Sequence, residues 1–193
     1  KGYLTEIDSA IGDGDHGTGM AFGMTRVQEK LLSMKGEKNV YCCFEAAGEA
    51  MLMSMGGASG VIFGSLYLAG SAGQEAKETL YPADLAEMER KSLSAIRKRG
   101  GARVGDKTMV DALEPAVNAM EKCKNRSLLE MLRAAESAAR KGMEDTRNYR
   151  AGFGRAKSLM GREVGHQDAG ATSVYLIFQG MREYVEDRME APE

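Results

Sequence analysis

Ser127-Leu-Leu-Glu130-Met-Leu-Arg-Ala-Ala-Glu-Ser-Ala-Ala-Arg-Lys-Gly-Met143 reads as one amphipathic helix with its start signal attached. Ser127 and Glu130 have capping-box spacing: the hydroxyl serves the N–H three residues on, and the carboxylate reaches back to the N–H of the serine. Behind them Leu128, Leu132, Ala135, Ala139 and Met143 recur at steps of three and four, which lines up a single apolar face.

The same period appears on both sides of that segment. Met20, Met24, Val27, Leu31 and Met34 make one face of a helix. Leu85, Met88, Ser92 and Ile96 make another, entered through Pro82, with Asp84 and Glu87 early and Arg97-Lys98-Arg99 late. That order of charge complements the helix dipole, and Gly100-Gly101 supplies the stop. Met109, Leu113, Val117 and Met120 form a helix that Pro115 is expected to kink or interrupt. Val174, Ile177, Phe178, Met181, Tyr184 and Val185 form the last. Few runs alternate as half-buried strands do, and β-branched residues are sparse. The expected fold is all-α, one domain over residues 1–193 of about seven or eight helices, antiparallel because the connections are short. The 14 methionines are expected to fill its core rather than form a functional methionine surface.

Bulk properties narrow the function classes. A net charge of −2 with pI near 5.9 gives no basic footprint for nucleic acid. The longest apolar run, Val174 to Phe178, is far below a membrane span. Three cysteines, with Cys42 and Cys43 adjacent, make no extracellular disulfide framework and fit a reducing cytosol. No secretory signal is visible, and the start on Lys1 rather than Met is read as the loss of an N-terminal segment.

Chemistry concentrates in loops. In Asp8-Ser-Ala-Ile-Gly-Asp13-Gly-Asp15-His16-Gly17, three carboxylates crowd the end of a short helix, where the dipole is negative. They repel one another unless a cation offsets them, and oxygen-only donors point to magnesium or calcium. A calcium-binding EF-hand would need a ligand at Gly17, a glycine at Thr18 and a glutamate at Met24, so that motif fails. A solvated acidic turn remains the plain alternative, and His16 is equally a satisfied loop histidine. Gly56-Gly57-Ala58-Ser59-Gly60 joins a helix ending near Met55 to one starting near Val61. It either exposes backbone N–H groups to a phosphate or simply turns the chain.

Gly100-Gly-Ala-Arg103-Val-Gly105-Asp106-Lys107-Thr108 resembles a P-loop only superficially. Asp106 intrudes before Lys107 and a basic helix, not a strand, precedes it. What remains is a glycine loop with two cations and a hydroxyl, suited to an anion, or else a basic surface turn. From Gly152 to Thr172 a long stretch lacks apolar period. Arg155 in it is a candidate phosphate clamp, and Asp168 a candidate ligand or ribose acceptor. Together these are the parts that nucleotide phosphoryl transfer requires.

Gly12-Asp13-Gly14-Asp15-His16-Gly17, Gly56-Gly57-Ala58-Ser59-Gly60, Gly105-Asp106-Lys107-Thr108-Met109 and Gly165-His166-Gln167-Asp168, in this order, resemble the L subunit of dihydroxyacetone kinase. The likeness runs from about Asp8 to Ser173. It implies an antiparallel barrel of eight amphipathic helices, with ADP or ATP held at one end through two magnesium ions. The metal-binding aspartates of that family match Asp8, Asp13 and Asp15. Its nucleotide contacts match His16, Gly17, Thr18, Gly19, Ala58, Ser59, Gly100, Met109, Arg155, Asp168, Ala169 and Gly170, with Arg155 also catalytic. The sugar would sit covalently on a histidine of a separate K subunit, so neither His16 nor His166 takes that role.

Three departures stand out. Gly19 replaces a common asparagine or threonine, Ala169 replaces a usual proline, and the family's first helix is largely missing before Asp8. The resemblance further implies a cytoplasmic kinase subunit. In one branch of the family ADP stays bound and is rephosphorylated by a phosphotransferase-system M subunit. The short chain and His16 favour that branch over the ATP-dependent one. Related kinases for erythrulose or for a fatty acid, and a helical protein with a calcium-stabilised loop, are the competing readings.

Overall fold

The computed structural model describes residues 1–190. Eight α-helices make up the described chain: α1 (Gly2–Ile11), α2 (His16–Ser33), α3 (Val40–Ser54), α4 (Gly57–Ser71), α5 (Pro82–Gly100), α6 (Val110–Cys123), α7 (Leu128–Asp145) and α8 (Ala169–Glu190). Two short 3-10 turns, Thr146–Asn148 and Arg155–Leu159, lie between the last two, and no strand occurs among the described residues. Each helix packs on its sequential neighbour. The last, α8, also packs on α6 and α1, which closes the helices into a ring.

The sequence signals act where they were expected. Ser127 and Glu130 cap α7 reciprocally, and Met131, Leu132, Ala135, Ala139 and Met143 are buried behind them. In α5, Leu85, Met88, Ser92 and Ile96 are buried, and Gly101 ends the helix in the left-handed conformation. Most of the methionines are core residues, with Met51, Met88, Met120 and Met131 fully enclosed, while Met53, Met160 and Met189 face solvent.

Three local expectations are corrected. Pro115 neither breaks nor interrupts α6, which runs from Val110 to Cys123. The carbonyl that a residue with an N–H at 115 would have bonded is that of Asp111, and Gly142 of α7 packs directly against it. A Cβ at 142 would lie 2.8 Å from the Asp111 carbonyl carbon and 3.0 Å from Ala112 Cα. Helix α4 begins at Gly57, inside the glycine loop, rather than near Val61. The apolar faces of α2 and α8 run past the core: Leu31 is exposed, and so is Tyr184. Residues ahead of Asp8 are helical, since Asp8 sits in the last turn of α1.

Glycines also set how closely helices approach. Gly48 of α3 and Gly64 of α4 face each other, each with the other's carbonyl within 3.0 Å of where its Cβ would stand. These contacts explain part of the glycine richness that loops alone do not.

Candidate functional site

The connections α1–α2, α3–α4, α5–α6 and α7–α8 gather at one end of the ring around a cavity of about 660 Å³. Residues from all four junctions line it, which fixes the up-and-down alternation of the helices. It also brings four helix N-termini to one place: His16, Thr18 and Gly19 of α2, Gly57, Ala58 and Ser59 of α4, Met109 ahead of α6, and Ala169 and Gly170 of α8. The positive ends of these dipoles favour an anion between them. The N-cap residues of α2 and α4, Asp15 and Gly56, make no side-chain cap, whereas α3 and α7, which start at the opposite end, are capped by Asn39 and Ser127. The N–H groups at the start of α4 therefore keep their donors for a ligand, whereas at α2 those of Thr18 and Gly19 are taken by the Asp15 carbonyl.

On one side of the cavity stand Asp8, Asp13 and Asp15, with one carboxylate oxygen of each within 4.8 Å of the others. Asp8 Oδ2 accepts the His16 N–H at 3.2 Å, so the helix and the acidic loop are tied. Gly14 takes φ +76° over the Ser9 side chain, a turn that lets Asp13 and Asp15 face back towards Asp8. Burial and the Asp13 carboxylate push the Asp15 carboxyl above its ordinary value. The offsetting cation is Arg155, whose guanidinium pairs with Asp13 and lies 3.8 Å from Asp15. Three oxygen donors so close, already drawing in a positive group, fit a hard divalent ion.

His16 is buried, its ring 5.8 Å from that of Phe63. Its Nε2 is hydrogen-bonded to the Ser173 hydroxyl at 2.8 Å, and that hydroxyl also lies 3.1 Å from the Ala169 carbonyl. Burial lowers the imidazole pKa, which keeps it neutral. Asp168 is half-buried in the cavity wall, and loss of solvation pushes its carboxyl up to about 7. Its Oδ2 accepts the Ala171 N–H at 2.7 Å and so caps α8.

Of the residues singled out from sequence, Asp8, Asp13, Asp15, His16, Thr18, Gly19, Ala58, Ser59, Met109, Arg155, Asp168, Ala169 and Gly170 line this cavity. Gly17 and Gly100 do not. Gly17 is buried against Thr5 of α1, and Gly100, the last residue of α5, faces Ile62. The loop of residues 101–109 is not a plain surface turn: its Lys107, Thr108 and Met109 line the cavity wall. Lys107, only 2% exposed, points inward and donates to the carbonyls of Thr146, at 2.6 Å, and of His166. The Asp111 carboxylate takes the N–H groups of Gly105 and Thr108, at 2.5 and 2.6 Å. Sequence reading saw the lysine in its motif but could not see a partner fifty-nine positions away. It also missed Phe63 and Ser173, which hold the His16 ring and carry no motif of their own.

Comparison with known proteins agrees with this geometry. The DAK2 domain family profile matches residues 10–183. The chain is 37% identical over 179 residues to the PEP-dependent dihydroxyacetone kinase, ADP-binding subunit DhaL, of Escherichia coli (strain K12), covering 92% of this chain and 85% of that one. It is 37% identical over 189 residues to the PTS-dependent dihydroxyacetone kinase, ADP-binding subunit DhaL, of Lactococcus lactis, covering 96% and 88%. The solved dihydroxyacetone kinase from C. freundii in complex with AMP-PNP and Mg2+ superposes with a TM-score of 0.70 at 26% identity. That match covers 94% of this chain, which spans 30% of the C. freundii chain.

Proposed function

We infer the function from one premise: this chain belongs to the DAK2 domain family. It is a phosphotransferase component, the nucleotide- and magnesium-binding subunit of a dihydroxyacetone kinase. The observation that carries this reading is the convergence of helix N-termini, three clustered carboxylates and Arg155 on one cavity. Residues 1–193 are read as one such domain.

In this reading Asp8, Asp13 and Asp15 hold two magnesium ions. Bound magnesium neutralises phosphate charge and fixes the polyphosphate for transfer. The N–H groups at the start of α4, with the Thr18 and Ser59 hydroxyls, donate to the phosphate oxygens. Gly19, where a longer side chain is common in the family, offers no side-chain donor there. Neutral His16 borders the phosphate end. Met109 and the Ala169-Gly170 turn close the cavity around the nucleoside. Arg155, at the edge of the same carboxylate cluster, would meet the charge that develops on the transferred phosphoryl group.

The acceptor sugar is carried by a separate K subunit that approaches the open mouth of the cavity. Phe153 and Met160, exposed on the segment bearing Arg155, border that approach. The relatives named for PEP or the phosphotransferase system support ADP as a retained coenzyme, recharged by an M subunit. The protein is mixed with its K partner and dihydroxyacetone, and then given either ATP alone or the phosphotransferase components with phosphoenolpyruvate. Turnover with the second supply and only a single burst with ATP is expected. Rapid multiple turnover with ATP alone would assign the chain to the ATP-dependent branch.

A further inference from the structure

Lys107 is buried, carries a charge, and stands in a left-handed backbone conformation at φ +58°, where a non-glycine residue is disfavoured. Such strain persists when surrounding contacts hold it, and the contacts here are specific. The Lys107 ammonium donates to the carbonyl of Thr146, the C-cap of α7, and to that of His166. The Thr146 carbonyl also accepts the Tyr149 N–H at 3.1 Å, so the ammonium is its second donor, and a cation there faces the negative end of the α7 dipole.

The Thr146 hydroxyl meanwhile accepts the Asp168 N–H at 3.0 Å and donates to Met143. Three segments distant in sequence are thus pinned at one point: the loop leading into Met109, the end of α7, and the turn of Asp168, Ala169 and Gly170. Met109 and Gly170 are in contact across this point, with the Met109 N and Cβ 3.4 Å from where a Gly170 Cβ would stand. Both line the cavity, so the wall they form is only as fixed as the ammonium that joins its parts.

We propose that Lys107 is a positioning residue: by tying the Thr146 and His166 carbonyls it fixes the Met109–Gly170 wall and so sets how slowly bound ADP leaves. The inference rests on the nucleotide-binding reading above and goes beyond it, because Lys107 holds other residues in place. Neither alkyl stem nor backbone at 107 can replace the ammonium, since the two acceptors belong to different segments.

The test is release of a fluorescent ADP analogue, with magnesium present, chased by excess ADP. Lys107→Met keeps the stem and removes the donors. It is expected to release the analogue at least about tenfold faster, equivalent to ~1.4 kcal/mol. Lys107→Arg, which keeps charge and donors, is expected to recover much of the slow release. Leu132→Ala, in the core of α7 away from the cavity, controls for simple destabilisation and should leave the release rate unchanged. Release from Lys107→Met at the wild-type rate, or no faster than from Leu132→Ala, overturns the proposal. Should Lys107→Met not fold, Thr146→Val removes the neighbouring hydroxyl bond of the same tie and should release about threefold faster or more. A wild-type rate there overturns it equally. A wild-type protein that retains no ADP at all overturns the nucleotide reading itself, an outcome distinct from slow release unaffected by Lys107→Met.

Discussion

The Arg155 guanidinium pairs with the Asp13 carboxylate, one of three acids that crowd the mouth of the cavity. An arginine there does what a divalent cation would do: it offsets carboxylates that otherwise repel one another. Its side chain is largely exposed, so the pair is loosely held and can be exchanged for another partner.

Replacing Arg155 with alanine is therefore expected to lower turnover by about 100-fold to 1000-fold. The accompanying loss of ADP affinity should be much smaller, because the guanidinium meets charge that develops only during transfer. Steady-state kinetics with the K partner, beside calorimetry with ADP, separates the two effects. Unchanged turnover with a shifted melting temperature would make Arg155 a structural surface residue.

Asp13→Asn and Asp15→Asn each remove a ligand charge without changing shape. Both should weaken magnesium-dependent ADP binding by more than ~100-fold while the circular dichroism spectrum stays helical. The free protein should be no less stable, since repulsion within the cluster is relieved. Undiminished ADP affinity in both variants would remove the metal assignment.

Glu89 gives a prediction about pH. It is 6% exposed, Oε2 has no hydrogen-bond partner among the described residues, and burial pushes its carboxyl up to about 8. The folded chain therefore holds a proton that the unfolded chain releases above the ordinary glutamate value of about 4.5. Stability is full below about 4.5 and falls as pH rises towards about 8. Asp168, raised to about 7, acts in the same direction over a lower window. Denaturant unfolding at a series of pH values should show this decline, and Glu89→Gln should flatten its upper part. An identical slope in the variant would contradict the account.

Gly142→Ala tests the close crossing of α6 and α7. The added methyl would meet the Asp111 carbonyl, which Pro115 leaves without its helical N–H partner. A loss of about 1–3 kcal/mol is expected. At this chain length each ~1 kcal/mol lowers Tm by about 2–4 °C. A melting temperature equal to that of the wild type would show that the helices can separate there without cost.

Helix positions were legible in the sequence because their signals are local. The Ser127–Glu130 box, the charge order of α5 and the Gly101 stop each act within one or two turns. Pro115 misled because α6 runs unbroken through it, with the Asp111 carbonyl it leaves unpaired lying against Gly142 of another helix. Tyr184 and Leu31 misled because apolar spacing does not say where the core ends. The acidic cluster and Arg155 were readable as chemistry, since few other reasons place such groups together. Lys107 was not, because a lysine beside glycines looks the same whether it faces an anion or two distant carbonyls.

Equilibrium binding of ADP to the purified chain, with magnesium and then with a chelator, tests the central claim most directly. The account predicts saturable binding at about one ADP per chain with magnesium and its loss on chelation, with Asp13→Asn mimicking the chelator. Absent binding, or binding that is indifferent to magnesium and to Asp13→Asn, would contradict it.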